Sequence, residues 1–267
     1  MKVYLSYFRL KFITSLQYRA SAISSILTQF FFGLVNILVF IAFFKSGDEG
    51  APITLKQTVT YLWLNQSFFA LIYQFYRDEE LLDLVRTGNI SYELTRPQDL
   101  YFMWYFKIFA SRLAAVLLRF IPILVVAFLL PSPYKMMLPN SIETFLLFVF
   151  TLFLGSFLST ALSTLNPVIV LKTLNEKGVS NILTTIGDIL SGIAIPIPFL
   201  PDVIGNISSL LPFQYVSDLP FRIYIGNITG TEILTGISMQ IIWIILIILI
   251  SHKMLTNSLK RVVAQGG

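Results

Sequence analysis

Few residues in this sequence are equipped for chemistry. It has one histidine, His252, and no cysteine in 267 residues, which excludes thiol nucleophiles, disulfides and Cys-ligated metals. A lone imidazole cannot complete a structural metal site. His252 also sits beside Lys253 at the end of an apolar run, where an interfacial residue without catalytic duty is expected. No Gly-x-x-x-x-Gly-Lys-Ser/Thr stretch occurs, so the chain has no P-loop to cradle nucleotide phosphates. It is therefore not expected to be an enzyme, nor to hold a catalytic residue, cofactor or metal of its own.

The remaining candidates are polar groups inside apolar runs. Arg119 and Asp188 each lie eleven residues before the end of their apolar segment, at Leu130 and Phe199 respectively. At about 1.5 Å per residue both fall near the middle of a hydrocarbon core about 30 Å thick. A charge at that depth costs roughly 2.5–3.5 kcal/mol by insertion scales. The two are expected to pair, directly or through water, as a bridge that fixes helix packing or as a polar station on a transport path. Asn36, Asn65 and Gln66 suit hydrogen bonds between helices, each worth about 0.6–2 kcal/mol, or contact with cargo or a facing subunit. Gly155, Ser159, Ser163 and Asn166 recur at three- and four-residue steps, a stripe that permits close helix approach.

Composition decides in which solvent these groups stand. Hydrophobic residues make up 55% and charged residues 12%, with a mean hydropathy of +0.76. A soluble domain carries roughly 25% charged residues. A spanning helix needs about 20 mostly apolar residues. Six segments qualify, near Ala20–Phe44, Thr58–Tyr76, Ala110–Leu130, Ile142–Leu165, Val179–Phe199 and Ile233–Leu255. The expected fold is all-α, a polytopic membrane protein with six transmembrane helices.

The basic residues orient it. With both termini on one side, that side collects Lys2, Arg9, Lys11, Arg19, Arg77, Arg86, Arg96, Lys107, Lys172, Lys177, Lys253, Lys260 and Arg261. The opposite loops hold only Lys45, Lys56, Lys135 and Arg222. Cytoplasmic loops carry the excess of Lys and Arg, so both termini are expected in the cytoplasm. The same scatter of short basic clusters beside apolar spans accounts for the net charge of +5 and offers nucleic acid no continuous basic face.

Three segments depart from simple spans. In residues 1–19, Leu5, Phe8, Phe12 and Leu16 recur at helical spacing among basic residues. This pattern suits an amphipathic helix lying at the membrane surface, as an anchor or as an elbow at the mouth of a path. The loop 77–99 opens with Asp78, Glu79 and Glu80, favourable at a helix N-terminus. It continues with an apolar face of Leu81, Leu82 and Val85, and Gly88 and Pro97 punctuate it. A short cytoplasmic helix is expected there, as a solvated loop element or a docking site. From Ser191 to Pro220 the chain stays apolar through Leu211 yet carries Pro196, Pro198, Pro201, Pro212 and Pro220. Prolines at this density stop helices. Non-helical backbone at membrane depth needs protein or a water-filled cavity around it. The fifth span is expected to end near Pro196, followed by short helices dipping back into the outer leaflet.

Four segments, in order along these spans, carry a resemblance: Leu16–Ala20 (LQYRA), Leu84–Pro97 (LVRTGNISYELTRP), Ser191–Ile204 (SGIAIPIPFLPDVI) and Leu210–Gly226 (LLPFQYVSDLPFRIYIG). The chain resembles the type-2 ABC exporter permeases, bacterial six-span subunits, most closely the branch in which two different permeases accompany one ATPase. The resemblance implies that residues 1–19 form an interfacial elbow helix and residues 20–267 a six-helix transmembrane domain. Within it, the loop 77–99 would form a coupling helix docking the ATPase through Asp78, Glu79, Leu82, Asp83 and Arg86. The re-entrant segment 196–212, with Pro196, Pro198, Pro201 and Pro212, would build an outer gate. ATP and Mg would be bound by a partner cytoplasmic ABC ATPase dimer. A second six-span permease, a different subunit by the branch it resembles or else a copy of this one, would complete the path in the lipid of the bacterial plasma (inner) membrane. The implied function is outward movement of a hydrophobic or amphiphilic substrate by alternating access. The alternative, an ATP-independent carrier or lipid scramblase, wants an inverted repeat with paired broken helices, which the sequence lacks.

Overall fold

A computed structural model of the chain describes residues 2–17, 19–47, 50–95, 97–173 and 175–260. Arg96 and Arg261, counted above as cytoplasmic cations, lie outside the described residues, as does the side chain of Arg19. Among the described residues the architecture is all-helical. It comprises α1 (Lys2–Ser15), α2 (Arg19–Lys45), α3 (Leu55–Ile72), α4 (Glu79–Arg86), α5 (Ile90–Glu93) and α6 (Leu100–Leu129). These are followed by α7 (Ile142–Thr173), α8 (Glu176–Leu190), α9 (Asp202–Leu210), α10 (Asp218–Tyr224) and α11 (Thr231–Leu259), with a single 3-10 turn at Ile197–Phe199.

Among the described residues four helices, α2, α6, α7 and α11, are long and apolar enough to cross a membrane. The second and fifth expected spans are shorter elements. α3 has 18 residues and opens on a capping box between Thr54 and Gln57. It buries Thr58, Thr60, Asn65, Gln66 and Ser67 together with its apolar side chains. It packs against α2, α6, α7 and α10. A helix enclosed by other helices need not present an apolar surface to lipid, which is how it carries so many buried polar side chains. α8 has only 15 residues and stops at Leu190 rather than near Pro196. Gly192, at φ +79°, turns the chain there in a conformation other residues rarely adopt.

α1 ends at Ser15 and lies along α6. Its packed face differs from the expected stripe. Tyr4 stacks on Phe106 at 5.9 Å and Phe8 meets Phe109 at 5.7 Å, while Ser15 Oγ donates to Ser111 Oγ at 3.3 Å. Leu5 instead joins Val3, Leu10 and Ile13 on an exposed apolar face. Aromatic rings of α6 select the aromatic side of α1, and the aliphatic side is left outward.

The small stripe on α7 seats a neighbouring segment. A Cβ on Gly155 would stand 2.3 Å from the Val216 carbonyl oxygen, so the backbone of residues 215–216 rests directly on the helix. Gly155→Ala is expected to cost about 1–3 kcal/mol through overpacking. The check is the thermal midpoint of the purified protein against Gly205→Ala, whose added carbon meets open space.

A candidate coupling site at one end of the bundle

α4 is set by its own sequence. Asp78 is its N-cap, with the side chain accepting from the Leu81 N–H at 3.0 Å. Glu79 and Glu80 fill the first turn and Arg86 the last, as the helix dipole favours. Leu81, Leu82 and Val85 are buried, and α4 packs on α7. The five docking candidates therefore divide. Leu82 is only 2% exposed and Asp78 is turned into the protein. Glu79, Asp83 and Arg86 face outward, joined by Thr87, Gly88 and Asn89. Asp83 and Arg86 pair with each other across one turn. Beyond them Tyr92 is 73% exposed, an aromatic ring standing free of the chain's own packing.

Lys107 locks α4 to α6, and sequence reasoning missed it by counting it as a surface cation. Only 3% exposed, its ammonium lies 2.7 Å from Asp78 Oδ1 and 2.8 Å from Glu80 Oε2. Lys11 of α1 reaches the same Glu80 oxygen at 3.2 Å. Burial pushes the Glu80 carboxyl up, but hydrogen bonds and charge from Lys107 and Lys11 outweigh it and hold the group below its ordinary value. Arg77, just before α4, bonds Glu176 at the start of α8 at 2.8 Å. Three elements thus meet the short helix through charge, α1 and α6 at Glu80 and the link at Glu79, and α8 holds the link at Arg77.

That link, residues 73–78, is non-helical, so its polar groups need partners. Ser163 of α7 supplies two of them. Arg112, 1% exposed, holds that serine: its Nη1 donates to Ser163 Oγ at 2.8 Å and its Nε to the Ala70 carbonyl of α3 at 3.3 Å. Ser163 Oγ donates to the Gln74 carbonyl at 2.6 Å and accepts from the Tyr76 N–H at 3.2 Å. Ser159 Oγ donates to the Leu71 carbonyl at 2.8 Å. The stripe expected to serve close packing thus also grips the chain between α3 and α4. Arg112 drew no expectation from sequence. Its signal was the seven-residue spacing to Arg119, which puts both on one helix face.

Among the described residues Arg119 and Asp188 form no direct ion pair, with each other or with another group, and Arg119 Nε is buried without a hydrogen-bond partner. Similar depth was not adjacency: α6 packs chiefly on α1, α2, α3, α7 and α11, whereas α8 packs chiefly on α7 and α9. Asn65 Nδ2 donates to the Ile193 carbonyl at 3.0 Å, an interelement bond as expected of such a group. Gln66 is buried beside Gly33 of α2, and Asn36 is half-buried on α2. His252 is not idle: its Nε2 lies 2.7 Å from Asp99 Oδ2, tying α11 to the N-cap of α6.

The proline segment folds into short helices. Pro196 opens the 3-10 turn, with Pro198 inside it; Pro201 caps α9, and Pro212 is buried in the turn that follows. Its ends are pinned. Tyr61 donates to Asp218 Oδ1 at 3.0 Å, and Ser217 Oγ to the Ser191 carbonyl at 2.9 Å. Gln240 Nε2 donates to the Tyr215 carbonyl at 2.7 Å.

The arrangement around α4 holds no nucleophile with its base. It offers a stiff mechanical junction with one polar outward face. Among curated proteins none matches the chain. A family model described as ABC-2 family transporter protein matches residues 14–266, from the end of α1 to past the end of α11. With that span, and with four helices able to cross a membrane, the chain belongs to the ABC-2 transporter family, as a membrane permease of an ABC transporter.

Proposed function

We propose that this permease moves a hydrophobic or amphiphilic substrate outward by alternating access, driven by a separate cytoplasmic ATPase that docks on the outward face of α4. The observation that carries the reading is the Lys107 lock. It leaves Glu79, Asp83 and Arg86 exposed while fixing the helix they stand on to α6 and α1. A push on that face moves α6 through Lys107, and moves α3 and α7 through the Arg112–Ser163 grip. A conformational change follows only if ATP-bound and ATP-free engines contact the helix differently. ATP and Mg are bound by the ATPase.

Connectivity supports six passes. α1, α4, the start of α6 and the end of α11 share one end of the bundle. For α2, α6, α7 and α11 all to cross, α3 and α8 with the turn after it must carry the chain back between them. Both termini then share the cytoplasmic side with α4. On that reading the pinned segment 196–212 is the outer gate, and a second six-span permease, a different subunit rather than a copy, completes the path in the plasma membrane.

The test is co-purification with the tagged chain, followed by reconstitution into vesicles. An ATPase and a second permease are expected to accompany it, and transport is expected to require ATP hydrolysis. Transport by the chain alone would establish an ATP-independent carrier or scramblase instead.

A further inference from the structure

We propose that a pocket at the end of the bundle away from α4 binds the phosphate head group of an anionic phospholipid. The pocket has a volume of about 570 Å³, within the range of sites that enclose small ligands. Lys56, at the start of α3, and Lys135, in the loop after α6, line it together with Phe128, Met136 and Leu138. Both lysine side chains are exposed, and among the described residues neither has an acidic partner within ion-pair distance. Two ammonium groups facing one cavity, without an acidic partner among the described residues, call for an anion.

The loop that carries Lys135 is held in place before any ligand arrives. The Met136 N–H donates to the Ala127 carbonyl at 2.9 Å, and the Met137 N–H to Thr60 Oγ1 at 3.0 Å. Trp63 Nε1 donates to the Tyr134 carbonyl at 2.8 Å, and the Tyr224 hydroxyl to the Met137 carbonyl at 3.2 Å. A preformed site loses little entropy on binding.

The surroundings choose between a soluble anion and a lipid. Leu129 is 78% exposed and Leu138 72%, and both stand where α6 leaves the apolar layer. A small inorganic anion would satisfy the lysines and leave these side chains bare. An amphiphile covers both, its phosphate at the lysines and its chains along the leucines. Basic side chains beside exposed apolar surface attract anionic lipids in this way. The inference needs the chain to be membrane-embedded, not coupled to an ATPase, so it stands or falls separately from the proposed function.

The experiment is native mass spectrometry of the purified full chain titrated with phosphatidylglycerol, with phosphatidylcholine, and with phosphatidylglycerol plus excess inorganic phosphate. Variants are Lys56→Ala, Lys135→Ala, the double alanine and the double arginine. Exposed substitutions of this kind usually leave stability within about 0.5 kcal/mol, so the variants fold. Phosphatidylglycerol is expected to be retained over phosphatidylcholine. Each alanine is expected to lower retention about fivefold, the equivalent of about 1 kcal/mol per basic residue. The double arginine should retain it, and inorganic phosphate should leave it bound. Equal retention of the two lipids, or a double alanine that binds as the parent does, would overturn the proposal. Full displacement by inorganic phosphate would overturn it in favour of a soluble-anion site.

Discussion

Asp83→Lys is expected to abolish ATP-driven transport while leaving the permease folded. Asp83 is exposed and its ion pair is with Arg86, one turn along the same short helix. Exposed pairs of this kind contribute about 0–1 kcal/mol to stability, so the fold has little to lose. A docking contact has more to lose. Hot-spot residues cost about 2 kcal/mol or more when changed, about thirtyfold in affinity, and a charge reversal adds repulsion. The expected readout is a thermal midpoint near that of the parent, with transport and permease-stimulated ATP hydrolysis reduced at least tenfold. Thr87→Lys, on the same face, should behave alike. Leu82→Asp should not: its side chain is buried against the bundle, and a carboxylate there breaks the packing of α4 before it affects any partner. Full coupling in both Asp83→Lys and Thr87→Lys would remove this face from consideration.

Lys107→Met is expected to destabilise the protein by about 3–5 kcal/mol, the cost of leaving buried charges without their partner. Its side chain lies with Asp78 in the interior, 4% and 10% exposed respectively, and also holds Glu80. Removing the ammonium strands the Asp78 carboxylate at the N-cap, leaves Glu80 with Lys11 alone, and cuts that helix from α6. Most of the loss belongs to the orphaned charge rather than to the bridge. The triple variant Lys107→Met, Asp78→Asn, Glu80→Gln should therefore regain much of the stability, since asparagine still caps a helix. It should not regain coupling, because the helix is no longer tied to α6. Denaturation midpoints and ATP-driven uptake measured on the same preparations separate the two effects. A triple variant that transports normally would show that Lys107 serves stability alone.

Much of the scaffold was legible in the sequence because lipid imposes long apolar runs. α2, α7 and α11 fall where hydropathy placed spans, and α6 begins earlier, at Leu100, with turns in which Lys107 meets Asp78 and Glu80. α3 was half-legible. Its Thr58, Thr60, Asn65 and Gln66 are satisfied or enclosed by neighbours, information that no window along the chain contains. α8 ended early because of Gly192, one glycine ahead of the prolines that drew attention. At the site, the apolar face of α4 was readable from Leu81, Leu82 and Val85. That reading alone turns Leu82 away from any partner, whatever the family implies for the loop. The charges were hardest. Depth along a helix is computable from sequence, so Arg119 and Asp188 matched in height. Which helices touch is decided by packing, and α6 and α8 are not packed partners. Lys107 and Arg112 are ordinary basic residues in the sequence; only the fold shows that one locks α4 and the other grips the chain leading into it.

The absence of native cysteine gives a clean background for the most direct test of where the engine docks. Single cysteines at Asp83 of α4 and at Leu138, on the opposite end of the bundle, would be cross-linked in the assembled complex. A covalent adduct with the co-purifying ATPase is expected from Asp83→Cys and none from Leu138→Cys. An adduct from Leu138→Cys with none from Asp83→Cys would place the engine at the other end of the molecule and contradict the account.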